Sequence, residues 1–182
     1  MRGRSTVLLR QGDWSELFRQ CHSEAFHLEV RDDYAVPLES EPFRRFLANE
    51  PDDYAWFENW DALVRDATGR GVRMSRVRVV TVPHTDYQRW SLAVSAHNTA
   101  AGEDIRYLPR HLAGVVPPDD WWLLDGERVA FNLVDGNSKA AGVAISTDPG
   151  LVEYCVGVKQ RLWDLATPYA EYAAIARSQI KK

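Results

Sequence analysis

Apolar positions recur along this chain with two periods, and each period predicts its own kind of element. Spacing of three and four residues predicts four main helices, which cover 14–21, a stretch that ends near Thr68, 86–101 and a stretch that begins after Thr147. Alternation predicts strands at 25–31, 72–82 and 104–108, followed by three short strands between residues 121 and 145. Because helices and strands alternate up to residue 108, the pattern indicates an α/β fold.

Local signals add detail to this order of elements. The strand at 72–82 carries valines on both faces near its end, which is typical of a strand in the centre of a sheet. The dipeptide Asp125-Gly126 predicts a hairpin turn, so the short strands after residue 121 should form an antiparallel meander. Thr85 and Gln88 have the spacing of a capping box, which predicts that the helix after them begins at Asp86.

Length and composition fit a single domain. A chain of 182 residues that is 45% apolar can bury a core without disulfides or metal ions. We divide it into an N-terminal helix-strand-helix extension at 1–56, an α/β core at 57–166 and a C-terminal tail at 167–182.

Charge and cysteine content indicate which partners and which cellular compartment to expect. The net charge of −4, from 26 acidic and 22 basic residues, argues against a surface that binds nucleic acid directly. The chain has two cysteines, nothing that resembles a signal peptide, and no run of about 18 apolar residues that would span a bilayer. These features predict a cytoplasmic protein that does not associate with membranes.

The motifs of several large enzyme classes do not occur in this sequence. Its glycines form no phosphate-binding loop, and the patterns C-x-x-C, H-E-x-x-H and G-x-S-x-G are absent. We therefore expect no cofactor, no bound metal and no complete set of catalytic residues.

Arginines are the first candidates for a binding site. Four of them lie on or just beyond two strands predicted to be neighbours: Arg76, Arg78, Arg106 and Arg110. Guanidinium groups match phosphate and carboxylate geometry, so the four predict a cationic groove for a small anion. The alternative is that they form ion pairs with acids such as Glu103 and Asp104.

Histidines are the candidates for acid–base chemistry, and the chain has five: His22, His27, His84, His97 and His111. His84 is the best placed, because it follows a central strand and precedes the N-terminus of a helix, where ligands often bind. It is equally compatible with simple exposure, since Thr85 is the natural helix cap. His97 has the spacing of a hydrogen-bonded histidine at the edge of the core.

Aromatic and acidic residues alternate between Tyr54 and Trp60. Phe57 and Trp60 fit the buried stripe of a helix, which leaves Tyr54 and Trp56 as possible exposed anchors for a protein partner. The run from Glu29 to Tyr34 allows either a polar binding rim or a solvated loop.

Residues 57–166 resemble the phospholipase-D-like α/β fold in the order of elements and in several phrases. These are Gly71-Val72-Arg73, Gly102-Glu103-Asp104-Ile105-Arg106, Leu124-Asp125-Gly126-Glu127-Arg128 and Thr147-Asp148-Pro149. Catalytic members carry H-x-K-x-x-x-x-D, and Asp125 takes the place of the aspartate. The resemblance puts Asp120 in the lysine place and Pro118 in the histidine place. It therefore implies a mixed sheet flanked by helices in which the usual phosphodiester hydrolysis has been lost.

Over its whole length the chain is similar to an actinobacterial family, the domain of unknown function 6879 family. The phrases that carry this similarity are Phe26-His27-Leu28-Glu29-Val30-Arg31, Tyr54-Ala55-Trp56-Phe57, Val82-Pro83-His84-Thr85-Asp86-Tyr87, Ile105-Arg106-Tyr107-Leu108-Pro109-Arg110 and Trp163-Asp164-Leu165-Ala166-Thr167-Pro168-Tyr169. The resemblance implies a companion of helix-turn-helix transcription regulators, with no assigned reaction or ligand.

Two functional hypotheses follow. The first is a non-catalytic regulatory module that binds a small anion or a partner regulator through the residues Arg76, Arg78, His84, Arg106 and Arg110. The alternative is a hydrolase or another phosphodiester-processing enzyme that uses His84 as its general base. The loss of the histidine and the lysine of the motif favours the first hypothesis over an enzyme.

Overall fold

The structure is a computed structural model that describes residues 6–9, 14–136 and 139–180. The strands are β1 (Thr6–Leu9), β2 (Glu24–Glu29), β3 (Arg73–Val80), β4 (Asp104–Pro109), β5 (Trp121–Leu124), β6 (Arg128–Val134), β7 (Ala140–Ser146) and β8 (Thr167–Pro168). The α-helices are α1 (Trp14–Arg19), α2 (Ser40–Leu47), α3 (Glu58–Gly69), α4 (Asp86–Ala101), α5 (Pro149–Leu165) and α6 (Tyr169–Ile180).

Within the described residues, all the strands join one mixed sheet in the order β1-β7-β6-β5-β2-β3-β4-β8. The central strands β2, β3 and β4 run parallel, and the helices α3 and α4 make the connections between them. The strands β5, β6 and β7 form the predicted antiparallel meander. The predicted α/β class is therefore confirmed.

Each face of the sheet has its own apolar core because side chains alternate along a strand. On one face, Phe26 and Leu28 of β2 and Val77 and Val79 of β3 are fully buried against α5. The helices α1 and α3 cover part of the other face, α6 packs against its β4 end, and α4 and residues 34–57 cover the region between them. This second face carries the polar side chains discussed below.

The turn between β5 and β6 fixes the start of β2. Asp125 and Gly126 have the positive φ angles, 54° and 67°, that the predicted hairpin turn requires. The Asp125 carboxylate accepts hydrogen bonds from the backbone N–H groups of His22, Ser23 and Glu24 at 2.8–3.1 Å. Burial opposes ionisation of Asp125, but these bonds outweigh it and lower the pKa of its carboxyl group.

The two ends of the chain take a larger part in the fold than the sequence pattern predicts. The strand β2, assigned to an N-terminal extension at 1–56, pairs with β3 and β5 in the middle of the sheet. In the stretch 167–182, assigned to a tail, β8 pairs with β4, and the Tyr172 ring stacks on the Tyr107 ring with centroids 4.8 Å apart. Both corrections have one reason, which is that the partners of these segments are distant in sequence and leave no local signal.

No helix among the described residues combines the length and the apolar content needed to cross a membrane.

Candidate ligand-binding site

A cavity of about 500 Å³ lies between the second face of the sheet and the elements that cover it. Its floor is formed by β2, β3 and β5, with a contribution from Asn132 on β6. Its walls come from α1, α3, α4 and the segment 34–57. The volume falls in the range of pockets that hold small molecules.

The floor is polar because of the register of the parallel strands. His27 and Glu29 alternate along β2, and Arg76 and Arg78 alternate along β3. The register pairs His27 with Arg76 and Glu29 with Arg78. Four polar side chains therefore project side by side from one face of the sheet.

The two arginines are neutralised by two glutamates. Arg76 donates from Nη1 to Glu29 Oε1 at 2.6 Å and from Nε to Glu103 Oε1 at 2.7 Å. Arg78 Nη1 lies 3.0 Å from Glu29 Oε2. The exposed fraction of these side chains ranges from 0% for Glu103 to 13% for Arg78. The result is a buried network of two cations and two anions.

This network shifts the pKa values of its two arginines and of His27. Burial alone would lower the pKa of Arg76, but Glu103 and Glu29 raise it above its ordinary value. For Arg78, burial is again the largest single effect, but Glu29 and the nearby tyrosine hydroxyls together outweigh it and raise the pKa. Burial and then the positive charges of Arg76 and Arg78 hold the pKa of His27 well below its ordinary value. His27 is therefore neutral at pH 7.

Glu103 reaches the floor from the loop between α4 and β4. The helix ends at Gly102, whose φ of 114° turns the chain toward the sheet. Besides Arg76, the Glu103 carboxylate accepts a hydrogen bond from Asn98 Nδ2 at 3.0 Å and one from Trp60 Nε1 at 3.4 Å. Glu103 thus ties α3, α4 and β3 together beneath the cavity.

Aromatic rings make up most of the walls. Those that line the cavity are Trp14, Phe18, Tyr34, Trp56, Phe57, Trp60, Tyr87, Trp90 and Trp122. The Trp122 ring stacks on the imidazole of His27 with centroids 4.2 Å apart and an interplanar angle of 11°. At the opposite wall Trp56 stacks on Trp90 with an interplanar angle of 24°. The cavity therefore offers flat apolar surfaces above a polar floor.

Five residues that line the cavity keep a buried polar atom with no hydrogen-bond partner among the described residues. The atoms are Nδ1 of His27, Oε2 of Glu29, Nε of Arg78 and the Oδ1 oxygens of Asn98 and Asn132. The first two of these atoms have ionic contacts within the network, which leaves the last three without any partner in the part of the chain that the structure describes. Asn98 is 1% exposed, and its Nδ2 is committed to Glu103, so its Oδ1 is an acceptor. Buried polar groups are rarely left without a partner, and here they provide both a donor and acceptors for a ligand.

The structure corrects the predicted cationic groove, because Arg106 lies on the opposite face of the sheet from Arg76 and Arg78. The parallel register places Arg106 beside Val77, whose side chain faces α5. The Arg106 guanidinium stacks 3.9 Å from the centroid of the Trp163 ring and donates to the Trp163 carbonyl at 3.3 Å. The alternative of ion pairing holds for Arg76, through Glu29 and Glu103.

Arg110 and His84 also lie outside the cavity. Arg110 donates to the carbonyl of Val30, and its Nη2 lies 3.6 Å from Asp32 Oδ1. His84 Nε2 is 2.7 Å from the hydroxyl of Tyr172, and burial lowers the pKa of the imidazole. Of the five predicted site residues, the structure thus brings together only Arg76 and Arg78.

Sequence reasoning missed Asn98 and Trp122 as parts of the site. It named His27 as a candidate imidazole, Glu29 as part of a possible binding rim and Glu103 as an ion-pair partner, but it did not bring them together in one site. It assigned the polar side of β2 to solvent, since a half-buried strand shows the same alternation. One available signal was that two predicted strands both carry polar residues at alternate positions, His27 and Glu29 on one and Arg76 and Arg78 on the other.

The aromatic segment before α3 also differs from its prediction as an exposed anchor for a partner. Trp56 lines the cavity and donates from its indole N–H to Asp52 at 3.0 Å. Tyr54 stacks on His97 with ring centroids 3.6 Å apart. Both rings are partly buried because the segment folds back onto α4.

The positions that correspond to the catalytic motif hold structural residues. Asp120, in the lysine place, is 2% exposed, and its Oδ1 accepts a hydrogen bond from the Val30 N–H at 2.8 Å. Burial raises the pKa of Asp120 to about 6. Pro118, in the histidine place, is exposed.

The family model described as Domain of unknown function (DUF6879) matches residues 12–174. The chain belongs to this family. A comparison with curated proteins gave no match. Membership in DUF6879 assigns no reaction to this chain. The solved structures that are similar to it are informative about its fold.

Among solved structures, the chain is similar to Nuc from Salmonella typhimurium, a phospholipase D family member, with 12% identity, a TM-score of 0.58, and coverage of 92% of this chain and 99% of Nuc. NucT from Helicobacter pylori has 7% identity, a TM-score of 0.51, and coverage of 91% and 99%. The archaeal chromatin protein TrmBL2 has 14% identity and a TM-score of 0.50; the match covers 91% of this chain and 55% of TrmBL2. These likenesses confirm the phospholipase-D-like fold.

Proposed function

We propose that this DUF6879 chain is a non-catalytic regulatory module that binds a small molecule in the cavity above β2 and β3. The observation that carries the proposal is the buried polar floor beneath aromatic walls. A buried ion network contributes little net stability compared with apolar residues of similar volume. Ionisable groups with shifted pKa values in a cleft are typical of functional sites.

The residues at the catalytic positions of the fold favour binding over turnover. Pro118 has no nucleophilic side chain, and Asp120 cannot supply the positive charge of a phosphate-binding lysine. His84, the general base of the alternative hypothesis, bonds to Tyr172 and is joined by hydrogen bonds to no carboxylate within the described part of the chain. These observations give the enzyme hypothesis no support.

The cavity also favours a different ligand from the small anion that the arginines suggest. The guanidinium groups of Arg76 and Arg78 are already paired with Glu29 and Glu103. An added anion would have no free cation to bind, and burying an unpaired charge is costly.

The regulatory part of the proposal concerns a protein partner. We retain a helix-turn-helix transcription regulator as that partner, on the family resemblance stated above. The fold is similar to that of TrmBL2, an archaeal chromatin protein that binds DNA, and this likeness supports a partner that acts on DNA. In this arrangement the partner contacts DNA, and the module responds to the small molecule.

A thermal-shift screen of the full chain tests whether the cavity binds small molecules. The screen compares purine nucleosides, aromatic carboxylates and quaternary ammonium compounds on the wild type and on two variants of α4. Val94 lines the cavity, so Val94→Trp fills it, whereas the neighbouring Ala96 is exposed, so Ala96→Trp is the matched control. We expect a saturable rise in Tm for the wild type and for Ala96→Trp only. If no compound gives that pattern, the proposal is wrong.

Affinity capture with the immobilised full chain tests the partner. We expect a helix-turn-helix regulator among the captured proteins, with an affinity for the purified chain that changes when the small molecule is added, because coupling between two ligands is reciprocal. An affinity that is identical with and without the compound would contradict the regulatory role and leave the cavity as a binding site only.

A further inference from the structure

We infer that the ligand of this cavity is an uncharged, flat, bicyclic heteroaromatic molecule with hydrogen-bond donors and acceptors along its edge, the chemistry of a purine base or its nucleoside. The inference rests on the proposed function and specifies the ligand class of the same site. Three independent features of the cavity lead to it, namely its charge, its flat walls and its unpaired polar atoms.

The charge of the floor selects an uncharged ligand. Arg76 and Arg78 balance Glu29 and Glu103, and His27 is neutral at pH 7. A net charge that the ligand brought onto this floor would therefore be buried without a counter-charge, and the Glu39 carboxylate on the wall already accepts a hydrogen bond from the Tyr87 hydroxyl. Purines and their nucleosides are uncharged at pH 7, whereas nucleotides and carboxylates are not.

The walls select a flat ring. Trp122 and Trp90 are buried in stacks with His27 and Trp56, whereas the rings of Trp56 and Trp60 are only partly buried and line the cavity. The indole N–H of Trp56 is already committed to Asp52, and that of Trp60 to Glu103. Trp56 and Trp60 therefore offer ring surface rather than donors, and heteroaromatic bases stack well on aromatic rings.

The unpaired polar atoms exclude a purely apolar ring. Asn98 Oδ1 requires a donor on the ligand, and Arg78 Nε requires an acceptor. A purine carries both kinds of group on its edge, and a ligand that lacked them would leave buried polar groups unpaired. The volume of about 500 Å³ accommodates a bicyclic ring with an attached sugar.

The experiment measures the Kd of adenosine and guanosine for the full chain by calorimetry, with indole, benzoate and choline as comparison ligands. Indole is flat and bicyclic but has no acceptor edge, benzoate is an anion and choline is a cation. We expect at least one nucleoside to bind at least tenfold more tightly than each comparison ligand, and Val94→Trp to abolish its binding.

A lysine substitution tests the role of Arg78 while keeping its charge. Arg78→Lys retains a cation beside Glu29 but loses the Nε donor, so nucleoside affinity should fall about tenfold. Arg106→Lys is the matched control, because Arg106 Nε is also buried and unpartnered among the described residues but lies on the opposite face of the sheet. It should leave the affinity unchanged. Val94→Trp provides the same test of location if Arg78→Lys does not fold.

The outcomes separate this inference from the proposed function. If another compound of the screen binds, is blocked by Val94→Trp, and the nucleosides do not bind, the ligand class is wrong and the binding module stands. If nucleosides bind Val94→Trp as tightly as the wild type, they bind elsewhere and the inference fails. If Val94→Trp blocks no compound at all, the proposed function and the inference fail together.

Discussion

Asp120 illustrates at the scale of one residue how burial alters a carboxylate. The side chain is 2% exposed, and burial raises its pKa to about 6 although the Val30 N–H stabilises the ionised form. The folded protein therefore holds this proton at pH values where the unfolded chain has lost it. The stabilisation from Asp120 is complete below the ordinary pKa of an aspartate and is lost as pH rises through about 6.

Replacing Asp120 by asparagine should remove this pH dependence. Between pH 4 and pH 7, we expect the free energy of unfolding of the wild type to fall by up to about 3 kcal/mol relative to Asp120→Asn, since each pKa unit corresponds to about 1.4 kcal/mol. Urea unfolding of both proteins across this range measures the difference. His27 and the other titrating groups are present in both proteins, so their effects on the free energy of unfolding cancel. Parallel curves would contradict the prediction, and Asp119→Asn, at an exposed position, should leave the curve unchanged.

Glu103 is the residue on which the buried ion network depends. Its carboxylate balances Arg76 and accepts from Asn98 and Trp60. Glu103→Ala leaves the Arg76 charge only partly compensated, so the free energy of unfolding should fall by about 3 to 5 kcal/mol. The adjacent Asp104→Ala is the control and should change it by no more than about 0.5 kcal/mol, because Asp104 is exposed. Equal effects of the two variants in urea unfolding would show that the network carries no such energy.

At the scale of elements, Asp125 links the hairpin of β5 and β6 to the start of β2. The link joins residues that are about a hundred positions apart, through one carboxylate and three backbone N–H groups. Hydrogen bonds to a charged group contribute more than neutral ones.

Loss of this carboxylate should loosen the central strand. We expect Asp125→Ala to lower the free energy of unfolding by about 2 to 3 kcal/mol and to increase amide hydrogen exchange at Ser23 and Glu24. Asp119→Ala, at an exposed aspartate near the start of β5, should do neither. Unchanged exchange at Ser23 and Glu24 in Asp125→Ala would refute the role of this link.

Tyr172 is a central contact between the helix α6 and β4. Tyr172 stacks on Tyr107, and its hydroxyl pairs with His84. Tyr172→Ala should destabilise the protein by about 3 kcal/mol, in the range found for buried aromatic residues. Tyr154→Ala, on the exposed side of α5, should cost much less. Thermal unfolding of the two variants makes the comparison, and similar Tm values would mean that α6 contributes no stability through this contact.

At the scale of the whole molecule, a ligand in the cavity touches segments from both halves of the chain. A compound that binds only the folded state at a concentration of 100 Kd should raise the free energy of unfolding by about 2.7 kcal/mol. For a domain of this size that is an increase in Tm of about 5 to 10 °C. The increase should be absent in Val94→Trp, and a shift of equal size in that variant would place the compound outside the cavity.

The sequence by itself determined the local structure of this protein. The capping box of Thr85 and Gln88 marked the start of α4, and Asp125-Gly126 marked the hairpin, because the residues concerned act on the backbone within a few positions. The alternation of strands and helices was sufficient for the α/β class, and the resemblance of residues 57–166 supplied the phospholipase-D-like arrangement that the structure confirms.

Only the tertiary structure decided which side chains share a surface. The register between β2 and β3 brings Glu29 to Arg78, and the register between β3 and β4 sends Arg106 to the opposite face. The alternation of polar residues along β2 resembled that of a strand with one face in solvent. The helices α3 and α4 and residues 34–57 cover this polar face, so it forms the floor of a cavity. These relations depend on pairings between distant segments, and periodicity within one segment contains no information about the neighbour that it will meet.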